Sequence, residues 1–154
     1  MKYIRIAFYK NSKSVFAKFI RFKQYRLQKI PWRHSKYSHV EILFDDRWYS
    51  SSEVDWGVRM KRIQDNKGNW DYIDIRVNDQ EYDDMEIYCI SQVSNRYNWI
   101  GIFFAQAFNM KITREWDFFC SQFVTLVLQK IKKMCGVDAV FITPWDLNKI
   151  LSKK

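Results

Sequence analysis

His39 and Cys120 carry the two side chains that a thiol-based nucleophilic site requires. A thiolate attacks a carbonyl carbon, and an imidazole takes up the thiol proton. From Phe119 onward the apolar residues recur at helical spacing, so Cys120 is predicted in the first turn of a helix. The free N–H groups and positive dipole end of a helix lower the pKa of a thiol placed there, and a nearby imidazole lowers it further. The two residues therefore indicate acyl-transfer chemistry.

His39 lies in the first half of a predicted β-hairpin. Two runs rich in β-forming residues, 37–44 and 47–53, flank a short acidic turn. With a two-residue loop His39 would lie opposite Ser52, and with a loop one residue longer it would lie opposite Glu53. The sequence leaves both registers open.

Alternation along the first strand predicts which side chains accompany the histidine. Because successive residues of a strand point to opposite faces, Tyr37, His39 and Glu41 are expected on one face. Tyr37 is therefore a candidate substrate-binding residue, with ordinary sheet packing as the alternative. Ser52, opposite His39 in the shorter-loop register, is the second candidate.

The composition is that of one folded domain spanning residues 1–154. Hydrophobic residues make up 47% and aromatic residues 18% of a chain long enough for one core and too short for two. No run of about 18 apolar residues could span a bilayer, and no secretory signal pattern is present, so a cytoplasmic location is expected. Three cysteines without CxxC spacing and two histidines make a poor zinc set. Reduced thiols, and neither metal nor cofactor, are expected.

The remaining patterns predict further strands and helices. Strands are predicted over 2–8, 55–63 and 70–77. Helix starts are predicted at Asn78 or Asp79 and at Thr143-Pro144, and the aromatic run over 97–104 predicts one more buried helix. Cys89 falls on the apolar side of the helix that follows Asn78, so it is expected in the core. With no internal repeat or low-complexity linker, one α+β domain fits best.

The segment from Lys10 to Lys36 carries nine Lys and Arg residues and no acidic residue, which equals the formal net charge of +9 for the whole chain. A helix is predicted there, from residue 11 or 12 to about 29. Its basic face could lie on an anionic membrane or hold a nucleic-acid backbone. The residues of that face are Lys18, Arg21, Lys23 and Arg26. A core-packed helix with a solvated basic face is the equally weighted alternative.

Five short motifs follow one another along the chain. They are Tyr37-Ser38-His39-Val40-Glu41, Tyr49-Ser50-Ser51-Ser52 with Gly57-Val58-Arg59, Tyr97-Asn98-Trp99-Ile100-Gly101, Phe119-Cys120-Ser121-Gln122 and Thr143-Pro144-Trp145-Asp146-Leu147. In this order they resemble the permuted papain-like cysteine hydrolases, relatives of the NlpC-type peptidoglycan peptidases and of the lecithin:retinol acyltransferase family that include small bacterial and phage proteins. The resemblance implies a papain-like, circularly permuted NlpC-type α+β fold with an antiparallel sheet packed against helices.

The resemblance also implies roles for individual residues. It assigns the base to His39 and the nucleophile to Cys120, because the histidine precedes the cysteine in this family. The third, orienting group lies about a dozen residues after the histidine, in a window that holds the serines at 50–52 and Glu53. Of these, Glu53 is the residue that would best stabilise an imidazolium. Glu41 is the alternative, and Gln122 stands where many relatives carry Glu.

Three functions are compatible with these features. The implied one is hydrolysis of an amide bond, peptide or isopeptide, through a thioester on Cys120. The second is a lipid acyl hydrolase or acyltransferase that docks on anionic membrane through the basic segment. The third is a non-catalytic module that binds nucleic acid or an acidic protein. If the chain is phage-encoded, the cytoplasm in question is that of a bacterial host.

Overall fold

One sheet and three helices make up the described part of this computed structural model, which comprises residues 1–10, 37–65, 68–98 and 117–153. The strands are β1 (Lys2–Lys10), β2 (Tyr37–Phe44), β3 (Arg47–Ser52), β4 (Gly57–Lys61), β5 (Trp70–Val77), β6 (Arg96–Tyr97) and β7 (Asp117–Phe118). The helices are α1 (Asp79–Gln92), α2 (Cys120–Lys130) and α3 (Pro144–Leu151). The α+β class predicted from the sequence is confirmed.

The strands are arranged in the order β5-β1-β2-β3-β4-β6-β7. All neighbours pair antiparallel except β6 and β7, which pair in parallel. The predicted antiparallel sheet is therefore present, with one short parallel strand added at an edge. Because β2 lies between β1 and β3, the strand that carries His39 is held by hydrogen bonds on both sides.

The hairpin formed by β2 and β3 has the shorter of the two predicted loops. Phe44 pairs directly with Arg47, so a two-residue turn begins at Asp45. Asp45 has a φ of 54°, in the left-handed region that tight hairpin turns need and that Asp tolerates. The paired residues extend back to Ile42 with Tyr49, so the observed register is that of the two-residue loop.

The main core lies between the sheet and the helices. Helix α2 packs across β2 and β3, and its buried apolar side chains are Phe123, Val124, Val127 and Leu128. Burying each such side chain stabilises the fold by about 1.5–3 kcal/mol. Cys89 of α1 is fully buried in the same cluster, as predicted. The packing of α2 therefore fixes where its first residue sits relative to β2.

The three helices begin in two different ways. Asn78 and Thr143 each complete a capping box at the start of α1 and α3, as the sequence predicts. The residue before α2 is Phe119, which supplies no side-chain cap. Cys120 is the first residue of α2, and the N–H groups of this first turn have no intrahelical acceptor. The start of α2 therefore has no side-chain cap for these donors.

Two predicted segments lie outside the described residues. They are the basic helix from residue 11 or 12 to 29, with Lys18, Arg21, Lys23 and Arg26, and most of the aromatic run over 97–104. Within the ranges that the structure describes, no helix is both long and apolar enough to cross a membrane.

Candidate active site

His39 and Cys120 meet at one cavity, although they come from opposite halves of the chain. The cavity has a volume of about 300 Å³, and both residues line it. The Cys120 sulfur lies close enough to the imidazole to raise the pKa of His39 through charge and hydrogen bonding. Cys120 is 2% exposed, whereas the His39 side chain is 23% exposed. The predicted nucleophile and base are thus in contact, and the base is open to the cavity.

The opposite side of the imidazole contacts Glu41. Nε2 of His39 lies 3.2 Å from Oε1 of Glu41, two residues along β2. Because Nε2 is engaged by this carboxylate, Nδ1 is the ring nitrogen that remains for the Cys120 sulfur. An imidazole held at both nitrogens has a fixed orientation. The carboxylate on the histidine is therefore that of Glu41, the alternative to Glu53 in the sequence.

Glu41 is held by an arginine from β4. Nη1 and Nη2 of Arg59 donate to the two carboxylate oxygens of Glu41 at 2.7 and 2.6 Å. Nε of Arg59 donates to Asp55 at 3.1 Å, and Asp55 accepts a second bond from Lys61 at 2.5 Å. Bidentate pairs of this kind are strong and geometrically specific. They account for a carboxylate that stays ionised although its side chain is 2% exposed.

The electrostatics of the site favour a protonated histidine. Burial by itself lowers the pKa of His39, but the negative charge of Cys120, its hydrogen bond and the carboxylate of Glu41 outweigh burial and raise the pKa to about 10. Burial also raises the pKa of Glu41, and its bonds to His39 and Arg59 outweigh that effect and lower it. A protonated His39 is therefore the favoured state of the imidazole at neutral pH.

The hairpin residues predicted near the histidine have separate roles. Ser52 lines the cavity, and so does Glu53. Oε2 of Glu53 is buried and has no hydrogen-bond partner among the described residues. Ser50 donates to the carbonyl of Val40 at 2.8 Å, so it is part of the sheet's own hydrogen bonding. The serine window thus contributes Ser52 to the cavity and Ser50 to the scaffold.

Tyr37 does not share the face of His39, and the expectation from simple alternation is wrong. The register between β1 and β2 shifts between Tyr9 and Lys10, and this shift breaks the alternation ahead of His39. The ring of Tyr37 packs in the main core, 5.3 Å from Phe8 and stacked at 6.2 Å on Trp145. Its alternative interpretation, ordinary sheet packing, describes the observed position. A single extra residue in a strand is not visible in the sequence pattern.

Tyr97 and Arg59 are site residues for which the sequence suggested no role. Tyr97 lines the cavity with Cys120 and Glu53. Burial, followed by the negative charges of those two residues, holds the pKa of Tyr97 well above its usual range, so its hydroxyl remains a donor. Both residues lie in motifs that carried the family resemblance, and this position in the motifs was the sequence feature that could have identified them as site residues.

The described residues contain no group of three or more His, Cys, Asp or Glu side chains that could hold a metal ion. Comparison with known proteins adds no assignment, because a scan against protein-family models, a search of curated proteins and a search of solved structures each give no match. The chemistry of the site must therefore be inferred from its geometry.

Proposed function

We propose that the protein is a cysteine hydrolase that cleaves an amide bond through a thioester acyl-enzyme. The observation that carries the proposal is the continuous contact from Cys120 through His39 to a buried Glu41 that Arg59 holds. This order of thiol, imidazole and carboxylate is what a nucleophilic cysteine needs. A cavity at the thiol leaves room for the substrate.

In the first half of the reaction, the Cys120 thiolate attacks the amide carbonyl. The resulting oxyanion accepts hydrogen bonds from the Cys120 backbone N–H at the start of α2 and from the hydroxyl of Tyr97. Each such donor contributes about 3–4 kcal/mol in known cases. The imidazolium of His39 then gives its proton to the leaving amine, and the C–N bond breaks to leave a thioester.

In the second half, water replaces the amine. Neutral His39 takes a proton from the water as the hydroxide adds to the thioester carbonyl. The new tetrahedral intermediate expels the thiolate and the carboxylic acid leaves. Glu41 keeps the imidazole aligned through both proton transfers, and Arg59 keeps Glu41 ionised and in place.

The relationship to the permuted papain-like hydrolases is part of the same proposal. Three features support it: the histidine precedes the cysteine, it lies on a strand of a largely antiparallel sheet, and the cysteine begins a helix packed on that sheet. The third member of the site is assigned to Glu41 rather than Glu53. This places the orienting carboxylate on the same strand as the base.

The proposal is tested by alkylation of Cys120 with iodoacetamide from pH 4 to 10, in a protein whose Cys89 and Cys135 are replaced by Ser. We expect rapid alkylation at pH 6, and a rate at that pH reduced by about 100-fold in His39→Ala because the imidazolium no longer stabilises the thiolate. Glu53→Gln is the matched control for Glu41→Gln, which should lower the rate. A slow reaction at pH 6 that is indifferent to His39 would rule out the mechanism.

A lipid acyl hydrolase or acyltransferase is the second candidate. The same thioester forms from an ester, and the nine basic residues between Lys10 and Lys36, with no acid among them, suit an anionic surface. Binding to vesicles that contain anionic lipid, reduced by salt and by Lys18→Glu/Arg21→Glu, would favour this function. Salt-dependent binding to nucleic acid by a protein with an unreactive Cys120 would favour the non-catalytic alternative.

A further inference from the structure

The charged side chains around the cavity form pairs, with one exception. The pairs are His39 with Cys120, Glu41 with Arg59, and Asp55 with Lys61. The remaining charged side chain among the described residues of the lining is Glu53. The described residues of the lining therefore carry a net negative charge that comes from one carboxylate.

That carboxylate has an unused hydrogen-bonding position. Oε2 of Glu53 is buried and accepts no hydrogen bond from the described residues. Leaving a buried acceptor unpaired is destabilising, and more so when the acceptor is charged. Glu53 and Cys120 line the same cavity, together with Tyr97. A donor on the substrate that reaches Glu53 would remove this cost next to the reacting sulfur.

The lining near the histidine suits the apolar part of such a substrate. Tyr9 and Trp70 both line the cavity, with their ring centroids 4.9 Å apart, and Ile63 lies beside them. The ring of Trp70 also lies 6.4 Å from that of His39. Aromatic faces accept both alkyl groups and cations. An ammonium group on a short apolar stem fits both features of the cavity.

We propose that Glu53 binds an ammonium group of the substrate, so that the site selects amides that carry a free amine close to the scissile carbonyl. Glu53 is thus a specificity residue rather than the orienting member of the catalytic site. The inference rests on the proposed function, because the amine is located relative to the carbonyl that Cys120 attacks. It predicts that anionic acyl groups are excluded.

Charged methanethiosulfonate reagents test the inference without a known substrate. The Cys120 thiolate attacks their sulfenyl sulfur, forms a mixed disulfide and releases methanesulfinate. The trimethylammonium-ethyl, sulfonate-ethyl and methyl reagents differ in charge and share the reacting group. Rates are measured in the protein with Ser at 89 and 135, and each is divided by the rate with a free small thiol. We expect the cationic reagent to be preferred over the anionic one.

Glu53→Gln removes the charge and keeps the shape of the side chain. We expect it to reduce the ratio of cationic to anionic rates by about tenfold, since a charge close to the thiol interacts with the reagent in a partly desolvated cavity. Asp84→Asn, on the exposed side of α1, removes the same charge away from the cavity and should leave the ratio unchanged. Glu53→Asp keeps the charge and should retain the preference.

Each outcome separates the two proposals. A ratio that is the same in wild type and Glu53→Gln overturns the ammonium site, even if the methyl reagent reacts rapidly. If the methyl reagent is slow and indifferent to His39→Ala, the hydrolase mechanism fails instead. Thermal unfolding of Glu53→Gln is the folding check, and a melting temperature equal to or above that of wild type is expected because the variant loses an unpaired buried charge.

Discussion

Cys89 and Cys120 are both buried thiols on helices, and they differ in where on the helix they lie and in what surrounds them. Cys89 is in the last turns of α1 and is fully buried in the core, where burial and then Glu86 hold its pKa well above the usual range. Cys120 begins α2 and contacts His39 at a cavity. The same side chain is thus a small hydrophobe in one place and a candidate nucleophile in the other.

The largest expected difference is in reactivity. In the wild-type protein at pH 6, iodoacetamide should modify Cys120 about 100-fold faster than Cys89, because the thiolate is the reacting species and burial suppresses it at Cys89. Peptide mapping by mass spectrometry measures the two rates in one sample. Cys120→Ser should abolish the fast phase and Cys89→Ser should leave it intact. Equal rates at the two residues would remove the distinction between them.

The next largest effect is on the free energy of unfolding, and it should differ between Glu41 and Glu53, the two carboxylates near Cys120. Glu41→Gln should lower the free energy of unfolding by about 3 kcal/mol, because it leaves Arg59 partly buried without its bidentate partner. Glu53→Gln removes an unpaired buried charge and should leave the free energy of unfolding unchanged or raise it. Urea unfolding monitored by tryptophan fluorescence gives both values. A larger loss in Glu53→Gln than in Glu41→Gln would reverse their assigned roles.

The pH dependence of the free energy of unfolding should reflect the ionisable groups around Cys120. The pKa of His39 rises from about 6.5 in the unfolded chain to about 10 in the folded one, so its contribution is full below pH 6.5 and is lost as pH rises towards 10. The pKa of Glu41 is lowered, so its contribution is present above about pH 4.3 and is lost at more acid pH. Urea midpoints from pH 3 to 10 measure both.

His39→Ala separates the histidine from the other groups that titrate. In this variant the loss of stability between pH 6.5 and 10 should be smaller than in wild type. The part that remains includes Cys89, whose raised pKa also makes the fold less stable as its thiol ionises. Wild type and His39→Ala with the same slope over this range would show that His39 is not protonated at neutral pH.

The smallest expected effect is a difference between the starts of α2 and α1. Ser121 donates to the carbonyl of Ile142 at 2.6 Å and ties the first turn of α2 to the segment before α3. Ser121→Ala should cost about 1 kcal/mol and slow the alkylation of Cys120. Asn78→Ala, which removes the cap of α1, should cost about 1 kcal/mol without changing that rate. If both variants slow alkylation equally, the start of α2 has no special role in placing the thiol.

Local patterns alone were enough to predict much of the scaffold. The strand over 70–77 and the helix starts at Asn78 and Thr143 are confirmed, because alternation and capping depend on residues only a few positions apart. The helical spacing after Phe119 likewise placed Cys120 at a helix start. The turn at Asp45 left two registers open, and the pairing of Phe44 with Arg47 selects one of them.

What the sequence determined by itself was the identity of β1 to β5 and of the three described helices, and the two residues that could react. Which carboxylate contacts His39 depended on the tertiary structure. Glu41 is on the same strand as the histidine, but the group that holds its carboxylate in place is Arg59 from β4. The position of Tyr37 likewise depended on a register shift against β1. Local propensity acts over a few residues, whereas these contacts join segments whose separation only the packed sheet fixes.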